Sequence, residues 1–145
     1  GISPNFDLSI RNREDQFAIM WTGYINIPTT GTYTFETCSD DGTKVYIDQP
    51  YSATATPNVT NDFPHPLICK TGTPIFLTAG MHQITVTYME VGSEQAMELY
   101  WQNNVGLARQ LVPASAYTDP VTVPGTPPTA PSIYRDRKLQ IRLIA

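Results

Sequence analysis

The period of the apolar residues constrains the fold more than any other feature, because it is two rather than 3.6. From Phe17 to Ile27 every odd position holds an apolar residue or glycine, while the even positions include Thr22 and Asn26. Successive side chains of a β-strand point to opposite faces, so this alternation predicts a strand with one face buried. The "PTTG" turn of residues 28–31 follows it and predicts a hairpin with the next alternating segment.

The same alternation returns along the chain, and no segment carries the stripe of a capped amphipathic helix. In residues 80–90 it places His82, Ile84, Val86 and Tyr88 on one face. Many short strands separated by Gly, Pro and Asn turns are typical of an all-β antiparallel β-sandwich or barrel. The predicted strands are 17–27, 32–37, 44–48, 74–77, 80–90 and 96–101, with 50–73 as a long irregular connection.

Composition limits the classes of protein that fit. The 145 residues are 41% hydrophobic and 15% charged, which favours one folded domain over a disordered chain. No apolar run reaches the roughly 20 residues of a membrane-spanning helix, so we expect no membrane span. The net charge is −4 although four of the nine basic residues lie in the last thirteen positions. The acidic body repels the phosphates of nucleic acid, so we expect no nucleic-acid partner.

Three regions follow from these patterns. Residues 1–112 form the β domain, 113–132 are a Pro/Thr-rich linker with six prolines, and 133–145 alternate again as a terminal strand. One strand is not stable alone, so the terminal strand must pair with the body, with a following domain or with a neighbouring copy.

Cys38 and Cys69 are the only two cysteines of the chain. If they are paired, they close a loop of about 30 residues, which stabilises a fold by roughly 3–4 kcal/mol in chain-entropy models. A disulfide is compatible with an oxidising compartment.

The order of several short motifs resembles a known family. The pieces WTG, GTYTF, SDDG, YID and LTAG occur between Phe17 and Pro113 in the order and spacing of the PA-fourteen (PA14) domain, a β-barrel module of toxins, flocculins and secreted adhesins. The resemblance implies an extracellular or cell-surface module, and a lectin-like carbohydrate-binding function that depends on calcium.

The resemblance also implies a calcium site. In sugar-binding members the pair that matches Asp40 and Asp41 is joined by a cis peptide bond and coordinates calcium, and a later loop completes the set of ligands. In this sequence we place that loop in "QNNVG", with Asn103 and Asn104 as oxygen ligands. Calcium prefers six to eight oxygen ligands, which carboxylates and amides supply. Both stretches are equally ordinary turn sequences, so a turn without metal remains open.

Aromatic residues divide between core and surface. Trp21 and Trp101 share strand faces with aliphatic residues and are expected in the core. Tyr51 and Tyr100 lie in a loop or on the opposite face, and we predict them as sugar-stacking residues.

Nothing in the sequence predicts an enzyme. His65 and His82 lack the spacing of zinc ligands and are expected to be structural. Glu90, Glu94 and Glu98 cluster in a hairpin connection, and no second acid is fixed across a cleft as glycoside hydrolysis requires.

Two functions are therefore expected from the sequence. The first is a calcium-dependent carbohydrate-binding module of an adhesin or surface protein, with glycans as partners. The alternative is a structural subunit of an extracellular fibre or surface assembly, joined by addition of strand 133–145 to a neighbour. In that case basic residues of the strand contact the acidic body of the next copy: Arg135, Arg137, Lys138 and Arg142.

Overall fold

A computed structural model describes residues 6–9, 11, 13–118 and 140–144. Within these ranges the chain is almost wholly antiparallel β-structure, with one turn of 3₁₀ helix at Ala114–Ala116. The strands are β1 (Phe17–Ile27), β2 (Gly31–Asp40), β3 (Thr43–Ile47), β4 (Val59–Asn61), β5 (Ile68–Thr71), β6 (Ile75–Leu77), β7 (Gly80–Glu90), β8 (Ala96–Asn103), β9 (Gln110–Leu111), β10 (Tyr117–Thr118) and β11 (Gln140–Ile144).

The strands form two sheets. The first has the order β10-β1-β7-β3-β4, with β11 also paired to β1, and the second has the order β5-β2-β8-β9, with β6 also paired to β2. In the part of the chain that the structure describes, the sheets do not close into a barrel, so the sandwich alternative of the sequence prediction is confirmed. The β2–β3 connection is important for the site, because it carries the chain from the second sheet to the first.

The core lies between the two sheets and follows the alternation of the sequence. Every odd position of β1 is buried, as predicted. Trp21 and Trp101 are both core residues, exposed by 2% and 4%. Phe6 and Leu8, which precede β1 in the chain, also belong to the core. The Phe6 ring packs edge-on against Trp21 at a centroid distance of 4.9 Å.

Two boundaries differ from the sequence prediction. The segment 50–73 is not irregular throughout, because β4 pairs with β3 in one sheet and β5 pairs with β2 in the other. These strands have three and four residues, too few for alternation to show. The β domain also extends past 112, since Ala116 and Tyr117 are buried and β10 pairs with β1.

Cys38 and Cys69 form a disulfide bond, which confirms the pairing considered from the sequence. The two cysteines lie opposite each other on β2 and β5. The bond therefore fixes the end of the long connection to the strand that carries Asp40.

The terminal strand pairs with the body of its own chain. Residues 18–22 of β1 lie opposite β11 in antiparallel register, with Met20 facing Arg142. Residues 119–139 are outside the described part of the chain, and so are Arg135, Arg137 and Lys138 of the predicted assembly surface. Within the ranges given above, no helix has the length and apolar character needed to cross a membrane.

Candidate metal-binding site

The site is built where β2, β3 and β7 end or begin. Asp40 is the last residue of β2, and Asp41 and Gly42 lead directly to β3. Thr43 of β3 pairs with Tyr88 of β7, so Glu90 at the end of β7 lies beside this crossing. The peptide bond between Asp40 and Asp41 is cis. Residues from both sheets thus meet at one corner of the sandwich.

Three acidic side chains converge there and are named here the carboxylate cluster: Asp40, Asp41 and Glu90. Each offers an oxygen atom that lies within 4.8 Å of those of the other two. All three are buried, with exposed fractions of 7%, 4% and 2%. Charged carboxylates are rarely buried so close together without a compensating cation or donor, because their repulsion is strong where water is excluded.

Backbone donors from two loops hold Asp41. The N–H of His65 donates to its Oδ1 at 2.8 Å, and the N–H of Val91 donates to its Oδ2 at 2.8 Å. His65 lies in the connection between β4 and β5, and Val91 begins the connection between β7 and β8. The two loops are therefore tied to the same carboxylate, and each oxygen keeps a lone pair for a further contact.

The two carboxylate oxygens of Glu90 differ in their contacts. Its Oε2 accepts a hydrogen bond from the Tyr88 hydroxyl at 2.6 Å, and the same hydroxyl contacts the backbone carbonyl of Asp40. Its Oε1 is buried and has no hydrogen-bond partner. Most buried polar atoms in proteins are paired, and this carboxylate oxygen is therefore free to accept a contact from a ligand.

The electrostatics of the cluster point the same way. Burial raises the pKa of Asp40, and the adjacent charge of Asp41 raises it further. Burial also raises the pKa of Glu90, although the hydrogen bond from Tyr88 opposes the shift. Burial and the Glu90 carboxylate raise the pKa of the Tyr88 hydroxyl. The charged forms of both carboxyls are thus disfavoured as long as no cation lies between them.

This donor set fits a hard divalent cation. Carboxylate oxygens are the preferred ligands of Ca²⁺, and three of them provide more than enough negative charge to offset it. The Oε1 atom of Glu90, which has no hydrogen-bond partner, is available as a ligand atom. A second cluster of potential metal ligands is formed by Glu36, Cys38 and Cys69. It does not fit a metal ion, because both sulfurs are in the disulfide and Glu36 is paired with Arg109.

The prediction that Asn103 and Asn104 complete the ligand set is wrong. Asp40 lies opposite Ala96 in the β2–β8 pair, whereas Asn103 lies opposite Tyr33. Seven residues of strand separate the two ends, which is about 24 Å at ~3.4 Å per residue. The amide oxygens are also occupied, since Asn103 Oδ1 accepts from Leu107 at 2.8 Å and Asn104 Oδ1 accepts from Thr32 at 2.9 Å.

The two tyrosines predicted to stack on sugar make contacts with other side chains. Tyr100 lies opposite Glu36, four residues along β2 from Asp40. Its ring is covered by the Arg109 guanidinium at 3.9 Å, and its hydroxyl donates to Glu98 at 2.9 Å. The Tyr51 ring packs edge-on against Tyr46 at 5.7 Å.

Both histidines have structural contacts. The ring nitrogens of His82 contact an Asp48 carboxylate oxygen at 2.6 Å and the Thr78 carbonyl at 2.8 Å. His65 contributes its backbone N–H to the site, as described above, while its ring contacts the carbonyls of Pro66 and Asn61.

Glu90 is the site residue that the sequence reasoning missed. It continues the inward face of β7 after Ile84, Val86 and Tyr88, so the alternation itself places a carboxylate where an apolar residue is expected. That departure from the pattern was the available signal. The alternation within β7 does not show that Glu90 lies beside Asp40, because Asp40 is fifty residues earlier in the chain.

Comparisons with known proteins agree with this architecture. Residues 11–113 match the family model of the PA14 domain. No curated protein matches the sequence significantly. Among solved structures, the PA14 domain of the MpAFP antifreeze protein is similar, with a TM-score of 0.60 and 19% identity over 75% of this chain and 55% of that one.

Two further solved structures are similar. An anti-sigma factor domain-containing protein has a TM-score of 0.66 and 20% identity, over 87% of this chain and 41% of its own. Another, from Clostridium clariflavum, has a TM-score of 0.60 and 27% identity, over 72% of this chain and 34% of its own. The chain thus spans only about half or less of each of these structures.

Proposed function

This chain belongs to the PA14 domain family, and from that premise we propose that it is a calcium-dependent carbohydrate-binding module of an extracellular or cell-surface protein. The Cys38–Cys69 disulfide supports the extracellular or cell-surface location, because disulfides persist in oxidising environments. The carboxylate cluster with its unpartnered Glu90 oxygen is the observation that carries the proposal.

Asp40, Asp41 and Glu90 would hold the ion. When bound, the ion supplies an electrophilic contact for the vicinal hydroxyls of a sugar and offsets the repulsion among the three carboxylates. The protein's own part is orientation, because the His65 and Val91 N–H groups fix the Asp41 carboxylate and the Tyr88 hydroxyl fixes that of Glu90.

Calorimetric titration of the EDTA-treated protein with CaCl₂ tests the ion site, and a glycan array read with and without EDTA tests the lectin. We expect binding of one Ca²⁺ per chain and array signals that EDTA removes. Asp41→Asn should weaken calcium binding strongly. Glu36→Gln removes an equal charge from β2, the strand that ends at Asp40, at a carboxylate that Arg109 neutralises, and should leave calcium binding unchanged. Absence of calcium binding at millimolar concentration in the wild-type protein would exclude the proposed function.

A second candidate function is assembly through the terminal strand, which the pairing of β11 with β1 favours. The β1 edge at residues 18–22 accepts a strand in regular antiparallel register, so the same edge is able to accept β11 of a neighbouring copy. We expect a concentration-dependent dimer or larger assembly in light scattering, and its loss when residues 133–145 are deleted. A deletion variant that still assembles, or a full chain that stays monomeric at high concentration, would contradict this candidate.

A further inference from the structure

The sequence contains one acceptor triplet for N-glycosylation, at Asn58-Val59-Thr60. No other asparagine of the chain has Ser or Thr two positions later. Triplets of this kind also occur by chance, so the triplet indicates a modified asparagine only where the fold leaves the side-chain nitrogen accessible. The contacts of Asn58 therefore decide whether the fold is compatible with a sugar at this position.

The backbone of Asn58 is held from two sides. Its N–H donates to the Val45 carbonyl at 2.7 Å, and its carbonyl accepts from the Thr73 N–H at 2.9 Å. Gly72 packs so closely that an added Cβ would lie 2.1 Å from the Asn58 carbonyl oxygen. The backbone is thus fixed between β3 and the connection from β5 to β6, and the direction of the Asn58 side chain is fixed with it.

The two polar atoms of the Asn58 side chain differ in their contacts. Oδ1 accepts a hydrogen bond from the Ile47 N–H at 2.7 Å. Nδ2 makes no hydrogen bond to any residue that the structure describes, and it is not buried, so it faces solvent. N-glycosylation uses this nitrogen and leaves the carbonyl oxygen in place. An attached sugar would therefore remove no hydrogen bond from the fold.

The other two residues of the triplet are consistent with this orientation. Val59 is buried in the core, whereas Thr60 is exposed. Both lie on β4, which is the terminal strand of its sheet in the described part of the chain. The triplet is therefore at an edge of the sandwich, with its middle residue directed inward and its third residue directed outward.

We propose that Asn58 is an N-glycosylation site of this module. The transfer forms a bond between Asn58 Nδ2 and C1 of an oligosaccharide, breaks the bond from C1 to the pyrophosphate of a lipid carrier, and releases one amide proton. The lipid-pyrophosphate oligosaccharide and the transferase belong to the secretory route, and no oxidant or reductant takes part. The site goes beyond carbohydrate recognition and shares with the proposed function only the extracellular location.

Intact-mass spectrometry of the chain secreted from a eukaryotic culture tests the site. A glycoprotein secreted from the same culture is the control for transferase activity. We expect one oligosaccharide per chain that peptide-N-glycosidase F removes, with conversion of Asn58 to aspartate, which peptide mapping locates. Asn58→Gln and Thr60→Ala should both abolish the modification, whereas Thr60→Ser should retain it, because the third position of the triplet requires a hydroxyl.

Unfolding in urea tests whether the fold accommodates the sugar. The unglycosylated reference is the wild-type chain exported to the periplasm of a bacterial host without the transferase. The glycosylated chain should have an equal or higher unfolding midpoint, because the sugar removes no hydrogen bond. Unglycosylated Asn58→Ala should have a lower midpoint, since the buried Ile47 N–H loses its acceptor.

Calcium titration of the unglycosylated chain tests the proposed function separately. Val59 lies opposite Val45, four residues along the chain from Asp41, so the glycosylated and unglycosylated chains should bind calcium equally. An unmodified Asn58 in a culture that glycosylates the control protein would overturn the inference, whatever the calcium titration gives. A glycosylated chain that unfolds at lower urea concentration than the unglycosylated one would also contradict it, because the sugar would then disrupt the contacts of Asn58.

Discussion

Glu90 occupies a position on β7 where the alternation of the strand calls for an apolar side chain. Its face continues that of Ile84, Val86 and Tyr88, and its side chain is as deeply buried as theirs. Burial raises the pKa of its carboxyl against the opposing hydrogen bond from Tyr88, and the charges of Asp41 and Asp40 raise it further. A carboxylate in this position opposes folding unless a cation accompanies it, and two predictions at the residue scale follow from that conflict.

The first concerns Glu90→Gln. The amide keeps the shape, removes the charge and can donate to a neighbouring carboxylate, so the calcium-free variant should have a higher free energy of unfolding than the wild type. Its calcium affinity should fall at least about tenfold, because ligand charge sets affinity in such sites. Urea unfolding in EDTA and calcium calorimetry measure the two effects. A variant that is less stable in EDTA would contradict the reading of Glu90 as an uncompensated charge.

The second concerns pH. A carboxyl whose pKa is raised on folding opposes folding above its unfolded-state pKa, and this opposition is relieved as pH falls through the raised value. The ordinary values are 3.8 for Asp40 and 4.5 for Glu90, and both pKa values are raised. As the pH falls from 7 to just above these ordinary values, the contribution of the two groups to the stability of the calcium-free protein should therefore increase. Calcium affinity should decrease over the same interval, because protons compete with the ion.

Asp62 affects the pH dependence of stability in the opposite direction to Asp40 and Glu90, and it does so at lower pH. Although its burial alone raises the pKa, the hydrogen bond and charge of Lys44, at 2.6 Å, leave the pKa of Asp62 below 3.8. Its contribution is present above pH 3.8 and is lost as pH falls through the lowered value. Urea unfolding across pH in EDTA distinguishes the two, and comparison with the Asp40→Asn, Glu90→Gln double variant isolates the cluster. The difference between wild type and double variant should shrink on acidification; a constant difference would contradict the prediction.

At the scale of elements, the connection from β3 to β6 is what brings the site together. β4 joins the first sheet and β5 the second, and the loop between them supplies the His65 N–H that donates to Asp41. The disulfide to Cys38 anchors β5 beside the strand that ends in Asp40. The position of the loop therefore depends on a covalent tie as well as on short ladders.

Removal of that tie should affect stability and site together. For a sequence separation of 31 residues, chain-entropy models give a loss of about 3–4 kcal/mol in the free energy of unfolding for Cys38→Ala, Cys69→Ala. Calcium affinity should also fall, because the loop that donates to Asp41 is less constrained. Chemical unfolding and calcium calorimetry check both results. The reduced wild-type protein is the matched control, and it should reproduce the double variant; unchanged calcium affinity in both would show that the loop is positioned without the disulfide.

For the whole molecule, the carboxylate cluster is a junction between the two sheets. Asp40 belongs to the second sheet and Glu90 to the first, so an ion bound by both links the two layers of the sandwich. A ligand that binds the native state and not the unfolded chain stabilises the native state by mass action.

We therefore expect calcium to raise the melting temperature of the entire domain in one transition. At a free calcium concentration of about 100 Kd the gain is about 2.7 kcal/mol for one site. Calorimetric scans in calcium and in EDTA measure it, with Asp41→Asn as the variant that should lose the increment and Glu36→Gln as the one that should keep it. A second, separate transition that responds alone to calcium would mean that the ion stabilises only a local segment.

The sequence by itself determined the strands, the inward-facing residues and the aspartate pair, because these depend on neighbours in the chain: a period of two, turn residues, and motifs of the PA14 family. Trp21 and Trp101 were predicted in the core because they share strand faces with aliphatic residues. The partner of the aspartates depended on tertiary structure. The register of β8 on β2 puts Ala96 beside Asp40 and Asn103 at the far end, and the pairing of β3 with β7 brings Glu90 in. Strand order and register are fixed by contacts between distant segments, which no local pattern encodes.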